Sequence, residues 1–112
     1  MKCVPEDDQT AVRIDMLLQV AYAEYRDNVE QTVNDNEEVE ILRDRDGREI
    51  IKVVRKCFED ACVLCYEVDE KVIKMIEDLR DIHDARQLLR YIVDRESDTD
   101  LNLTILEAPY DT

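Results

Sequence analysis

The stretch that decides the fold is residues 39–54, VEILRDRDGREIIKVV, in which two apolar runs flank the dipeptide Asp46-Gly47. An Asp-Gly dipeptide between two apolar runs is a strong signal for a two-residue β-hairpin turn. Such a hairpin would set two pairs of apolar residues opposite each other, namely Leu42 with Ile51 and Val39 with Val54.

The same stretch is also compatible with the beginning of a helix. Asp46 could cap that helix and Glu49 would complete a capping box. From Ile50 onward, apolar residues recur at helical spacing as far as Cys65. We therefore predict a short strand over residues 39–42, followed by a helix that begins between residues 47 and 54. A strand over residues 47–54 remains the alternative.

The N-terminal third favours one long helix over residues 5–34. Pro5 suits the first helical position, and apolar residues recur at helical spacing from Ile14 to Val33. A second apolar stripe widens the buried surface in the first half, so this helix needs two neighbours. We predict that one neighbour is a second copy in a homodimer or larger homo-oligomer, with contacts through Val12, Met16, Val20 and Tyr22.

The C-terminal third favours a third long helix over residues 69–96, capped by Asp69 and free of Gly and Pro. Residues 101–106 then alternate between apolar and polar, which is the period of a strand, and could pair with residues 39–42. The predicted fold is mainly α. Residues 1–112 form a single domain of three long helices packed as a bundle, with room for a small β-hairpin or two-stranded sheet built from residues 39–54 and 101–106.

Composition excludes several kinds of active site. The chain has one glycine in 112 residues, so phosphate-binding loops and nucleotide fingerprints that need several glycines cannot be present. Carboxylates spaced three residues apart occur about as often as 29 acids would produce by chance, which disfavours a metal-dependent helical hydrolase. We predict no catalytic residues, no metal ligands and no cofactor, so the protein is not an enzyme.

The four cysteines are predicted to be free thiols. The first residues show no signal peptide and no apolar run is long enough to span a membrane, which favours a cytoplasmic location or an intracellular one in a host cell. Thiols are normally reduced there. Cys62 and Cys65 stand in an apolar run and are predicted to be core residues, whereas His83 stands between acids and is predicted to be exposed.

The net charge of −14 sets the class of partner. Nucleic acid and anionic membranes would be repelled, so the expected partner is a basic protein surface. The charge is concentrated towards the two ends of the chain, with −7 before residue 39 and −4 after residue 96. The candidate partner-binding acids are Asp7, Asp8, Asp15, Glu24, Asp27, Asp35, Glu37, Glu38, Asp94, Glu96, Asp98 and Asp100.

In size and charge the chain resembles small acidic proteins, many from phages or other viruses, that block basic nucleic-acid-binding partners. The resemblance implies an inhibitor that mimics nucleic acid by offering carboxylates in place of phosphates. The alternative is a self-associating structural or adaptor module whose charge serves only solubility, and a metal-dependent helical hydrolase is a third hypothesis.

Overall fold

The computed structural model describes residues 1–94 as a five-stranded sheet with three helices. Every neighbouring pair of strands is antiparallel, and the strand order is β1-β5-β4-β3-β2. A single 3₁₀ turn, Arg26–Asn28, precedes the second strand. The elements in chain order are β1 (Lys2–Pro5), α1 (Gln9–Glu24), β2 (Val29–Val33), β3 (Glu37–Arg43), β4 (Glu49–Cys57), β5 (Cys62–Val68), α2 (Glu70–Glu77) and α3 (Ile82–Asp94).

The central hairpin forms in the predicted register, with Leu42 opposite Ile51 and Val39 opposite Val54. Gly47 has φ +87°, a conformation that costs other residues a steric penalty. The predicted helix that begins between residues 47 and 54 is wrong, because Glu49–Cys57 is strand β4. Its run of Ile and Val pairs across the sheet on both sides, and this pairing outweighs the helical spacing of the apolar residues.

The predicted bundle of three long helices, and with it the all-α class, is wrong: the fold is α/β. Only Gln9–Glu24 of the predicted helix 5–34 is helical, capped by the Asp8 carboxylate, which accepts a hydrogen bond from the Thr10 N–H at 2.9 Å. The preceding residues form β1, and Val29–Val33 forms β2. The backbone of β2 pairs with β3, and its β-branched residues suit a pleated strand better than a helix.

The predicted third helix, residues 69–96, is two helices. Asp69 does cap the first of them, since its Oδ1 accepts a hydrogen bond from the Lys71 N–H at 2.8 Å. The helix ends before residues 78–81, where Leu79 enters the core. No Gly or Pro marks this break, so the sequence pattern carried no signal for it.

The sequence also predicted that residues 101–106 pair with residues 39–42, whereas β2 and β4 pair with the two edges of β3. Residues 101–106 themselves lie outside the described part of the chain.

All three helices pack on one face of the sheet. The shared core contains helix residues such as Ile14, Leu17 and Leu89 together with strand residues such as Ile51 and Leu64. Burying each of these side chains stabilises the fold by about 1.5–3 kcal/mol. Val54 and Cys65 are buried on the opposite face, outside this core.

The prediction of four free thiols is wrong. Cys3 is bonded to Cys65 and Cys57 to Cys62, and each bond joins residues that stand directly opposite each other on neighbouring strands. The paired Cα atoms are 3.9 Å and 4.0 Å apart. A helix over residues 50–65 would have separated these side chains, so the error follows from the wrong element.

Within residues 1–94 no helix combines the length and the apolar character needed to cross a bilayer.

Candidate functional site

Three strand connections meet at one end of the sheet. The register places Pro5 of β1 opposite Val63 of β5, and the last residue of β4 opposite the first of β5. The last residue of β2 likewise lies opposite Glu38 at the start of β3. The connection between α2 and α3 lies beside α1, because the Arg13 Nε–H donates a hydrogen bond to the Leu79 carbonyl at 3.1 Å.

The three strand connections are strongly acidic, and we call them the acidic end: residues 6–8, 34–36 and 58–61. They contain six acids and no base. The connections at the opposite end, residues 25–28, 44–48 and 69, contain four acids and three arginines. The fold therefore gathers acids that are widely separated in the sequence. The six are Glu6, Asp7, Asp8, Asp35, Glu59 and Asp60.

The spacing of the strands sets the size of the acidic end. Neighbouring strands lie about 4.8 Å apart, so five strands extend over roughly 19 Å. The connection after β4 lies between the second and third strands in the sheet order, and the connection after β2 lies between the fourth and fifth. These two acidic connections are therefore roughly 10 Å apart, and residues 6–8 flank the first of them.

Several of these carboxylates are accessible to a partner protein. Among the described residues, Asp35, Glu59 and Asp60 are exposed and have no ion pair. Asp84, which follows residues 78–81, is instead held by Arg80, whose hydrogen bond keeps the pKa of that carboxyl below its usual value.

The structure brings together some of the partner-binding acids predicted from the sequence. Asp7, Asp8 and Asp35 lie in the acidic end, and Glu37 and Glu38 directly follow residues 34–36 at the start of β3. The others do not join them. Glu24, Asp27 and Asp94 lie at the opposite end, Asp15 lies within α1, and Glu96, Asp98 and Asp100 lie outside the described residues.

Sequence reasoning missed Glu59 and Asp60, which occupy the connection between β4 and β5. The available signal was the pair of acids between two runs rich in apolar residues, a pattern typical of a turn. The helix predicted over this stretch concealed it.

The predicted partner-binding acids Glu24 and Asp94, at the opposite end, have structural contacts instead. The Arg86 Nε–H donates a hydrogen bond to Glu24 Oε2 at 2.7 Å. The Tyr25 hydroxyl donates one to Asp94 Oδ2 at 2.8 Å. Burial, followed by this hydrogen bond, raises the pKa of Tyr25 to about 12. Both contacts link α1 to α3, so these carboxylates contribute to the fold.

A cluster of charges lies between α1 and the sheet. The Glu40 carboxylate, 3% exposed, accepts hydrogen bonds from the Tyr22 hydroxyl at 2.5 Å and from the Arg55 Nε–H at 2.7 Å. Arg55 also pairs with Asp15. Burial lowers the pKa of Arg55, but the hydrogen bonds to Asp15 and Glu40 outweigh it, so the pKa is raised overall. The cluster fixes α1 to β3 and β4.

The four residues predicted to mediate self-association do not share one exposed surface. Val20 is buried in the core, and Met16 and Tyr22 pack against it. Val12 is exposed.

The described residues hold no candidate metal cluster, and the groove among them has a lining of mixed charge. Among residues 1–94 no three His, Cys, Asp or Glu side chains are grouped so that they could hold a metal ion. His83 is exposed, as predicted. A groove of about 650 Å³ lies near the opposite end of the sheet, and its lining mixes Arg48, Lys52 and Lys71 with four acids.

Comparison of the chain with protein-family models, with curated proteins and with solved structures gives no match.

Proposed function

We propose that the acidic end binds a basic surface of another protein, and that this partner is a nucleic-acid-binding protein which the complex blocks. The single observation behind the proposal is that three connections far apart in the sequence bring six acids and no base to one end of the sheet. In this proposal the carboxylates occupy positions where the partner expects phosphates. The protein itself binds neither nucleic acid nor a membrane.

Solubility alone does not require that acids be concentrated at one end of the sheet. Charge that only keeps a protein dispersed works equally well when both signs are interspersed over the surface. Gathering like charges on one end raises the electrostatic energy of the folded state. The benefit appears on binding, because a concentrated field steers a basic partner towards the site and speeds association.

The cytoplasmic or host-intracellular location stays a prediction, and the two disulfide bonds do not favour it. Disulfide bonds such as these two generally persist in oxidising compartments and in the cytosol of some hyperthermophiles. The redox state of the cysteines in protein taken directly from its native cell would test the location.

Charge reversal tests the proposal. In an acidic-end variant, Asp35→Lys, Glu59→Lys and Asp60→Lys change three exposed acids. The probe is a fluorescein-labelled heptapeptide of alternating arginine and glycine, followed by anisotropy at 50 and 150 mM NaCl. We expect the native protein to bind the peptide more weakly at the higher salt, because screening shortens the Debye length to about 8 Å. The variant should bind at least about ten-fold more weakly.

The matched control makes the same change in net charge at the opposite end, with Asp27→Lys, Asp46→Lys and Glu70→Lys. It should retain most of the affinity, once circular dichroism shows that both variants are folded. Equal loss in the two variants would mean that only total charge matters, and the proposal would fall. Capture of a partner from lysate then extends the test, since a nucleic-acid oligonucleotide should release that partner.

A further inference from the structure

The acidic end also collects exposed apolar side chains. Five large apolar residues of the described chain are exposed, and three of them lie at this end: Val12, Val33 and Phe58. Val12 is in the first turn of α1 and Val33 ends β2. The other two are Met1, at the other end of β1, and Ile82, at the start of α3. A surface that served only solubility would not concentrate apolar side chains among its acids.

Phe58 holds the central position in this set. It is the chain's single phenylalanine, and it is 67% exposed. The connection that carries it, residues 58–61, lies between the second and third strands in the sheet order. Residues 6–8 flank it on one side and residues 34–36 on the other.

The connection that presents Phe58 is fastened at both ends. The disulfide bond between Cys57 and Cys62 closes it, and the Phe58 N–H donates a hydrogen bond to the Ala61 carbonyl at 2.8 Å. A closed loop loses little conformational entropy when it binds, so it provides a preorganised contact. The two residues that follow Phe58 are Glu59 and Asp60, which place carboxylates directly beside the ring.

We infer that Phe58 is the anchor of the binding surface, and that the partner is a protein offering an apolar or aromatic slot ringed by cations. The inference rests on the proposed function and adds the shape of the partner's surface. Protein interfaces typically have an apolar centre inside a polar rim, and aromatic anchors in such centres carry much of the binding energy. An array of carboxylates alone would need no aromatic ring.

Two matched peptides test the anchor. The first is the heptapeptide of alternating arginine and glycine, and the second has tryptophan in place of the central glycine. Both carry the same charge, so a difference in affinity reports contact with an apolar side chain. The native protein should bind the tryptophan peptide about five-fold more tightly, which corresponds to a typical aromatic pair. Phe58→Ala should reduce this preference to about one, while binding of the glycine peptide changes less than about two-fold.

Met1→Ala is the control, because Met1 is a similarly exposed apolar residue at the opposite end. It should keep the full preference for tryptophan. If the native protein binds both peptides equally and with the same salt dependence, the anchor is refuted while the basic partner stands. If neither peptide binds, the proposed function falls as well. A preference for tryptophan that survives Phe58→Ala would place the apolar contact elsewhere and also refute the anchor.

Discussion

Glu40 is the residue that joins the first helix to the sheet through charge. Its carboxylate is nearly inaccessible to water and accepts hydrogen bonds from both Tyr22 and Arg55. Removing one partner of a buried charged pair leaves the other without compensation. We therefore expect Glu40→Gln to lower the free energy of unfolding by about 2 kcal/mol. The loss is modest because the Asp15 carboxylate remains beside Arg55. Urea denaturation monitored by circular dichroism would measure the change in the free energy of unfolding.

The matched control for that substitution is Glu30→Gln. Glu30 also pairs with an arginine, Arg43, at 3.1 Å, but its side chain is 56% exposed. Exposed pairs contribute about 0–1 kcal/mol. Similar losses in the two variants would show that Glu40 has no special role.

Tyr25 provides a prediction for alkaline pH. The pKa of its hydroxyl in the folded protein is raised to about 12, from an ordinary value of 10.0, first by burial and then by the hydrogen bond to Asp94. Because the folded state holds this proton more tightly than the unfolded state, the resulting stability is fully present below pH 10 and is lost as pH rises to about 12. Absorbance at 295 nm should show delayed ionisation, and Tyr25→Phe should remove one late-titrating group. An unchanged late phase in Tyr25→Phe would contradict the assignment.

Among the secondary-structure elements, the Asp-Gly turn signal and the Asp69 cap signal were right, whereas the apolar spacing of residues 50–65 was misleading. The Asp-Gly turn gave the hairpin register, and Asp69 gave a helix start, because turn and cap residues act within a few positions. The apolar spacing of residues 50–65 fitted a helix as well as a strand. Cross-strand contacts with β3 and β5 decided the outcome, and these depend on residues that a local pattern does not include.

The same limit explains the disulfides. Cys3 and Cys65 are 62 residues apart in the sequence, and only the antiparallel placement of β1 beside β5 brings them together. All four cysteines lie on strands, and the register places each one directly opposite another cysteine. The sequence therefore contained the cysteines but not their pairing.

The two disulfide bonds should differ in their effect on stability. In the loop-entropy model, a bond between residues 62 apart stabilises by about 4 kcal/mol, and one between residues 5 apart by about 2 kcal/mol. We expect Cys3→Ser/Cys65→Ser to lower the free energy of unfolding about twice as much as Cys57→Ser/Cys62→Ser. Denaturation of each double variant would measure this. Free thiols in the denatured, unreduced native protein would contradict the pairing itself.

At the scale of the whole molecule, the sequence predicted the chemistry of the candidate site but not its position. The large negative charge and several of the acids were evident, including Asp7, Asp8 and Asp35. Their sequence positions suggested clusters near the two ends of the chain. The fold instead combines connections from three parts of the described chain into one acidic end, which no charge count along the sequence could show.

If the acidic end exists for binding, it should reduce the stability of the free protein. Like charges repel, and folding brings Asp35 closer to Glu59 and Asp60 than it is in the unfolded chain, which adds repulsion to the folded state. Neutralising Asp35→Asn, Glu59→Gln and Asp60→Asn together should therefore raise the free energy of unfolding by roughly 0.5–1 kcal/mol at 20 mM salt. The same variant should bind the arginine-glycine peptide more weakly, so stability and binding would change in opposite directions.

The comparison variant neutralises Asp27→Asn, Asp46→Asn and Glu70→Gln at the opposite end. The connections at that end also contain arginines, whose positive charge partly offsets the acids. Neutralising these three acids should therefore give no gain in the free energy of unfolding. The gain at the acidic end should also vanish at 0.5 M NaCl, because the Debye length falls below about 5 Å. Equal gains in the free energy of unfolding for the two variants would indicate that only the total charge matters, as for a surface that serves solubility. A gain in stability confined to the acidic-end variant and to low salt would show that the fold maintains repulsion between carboxylates at one site. A basic partner would relieve that repulsion when it binds.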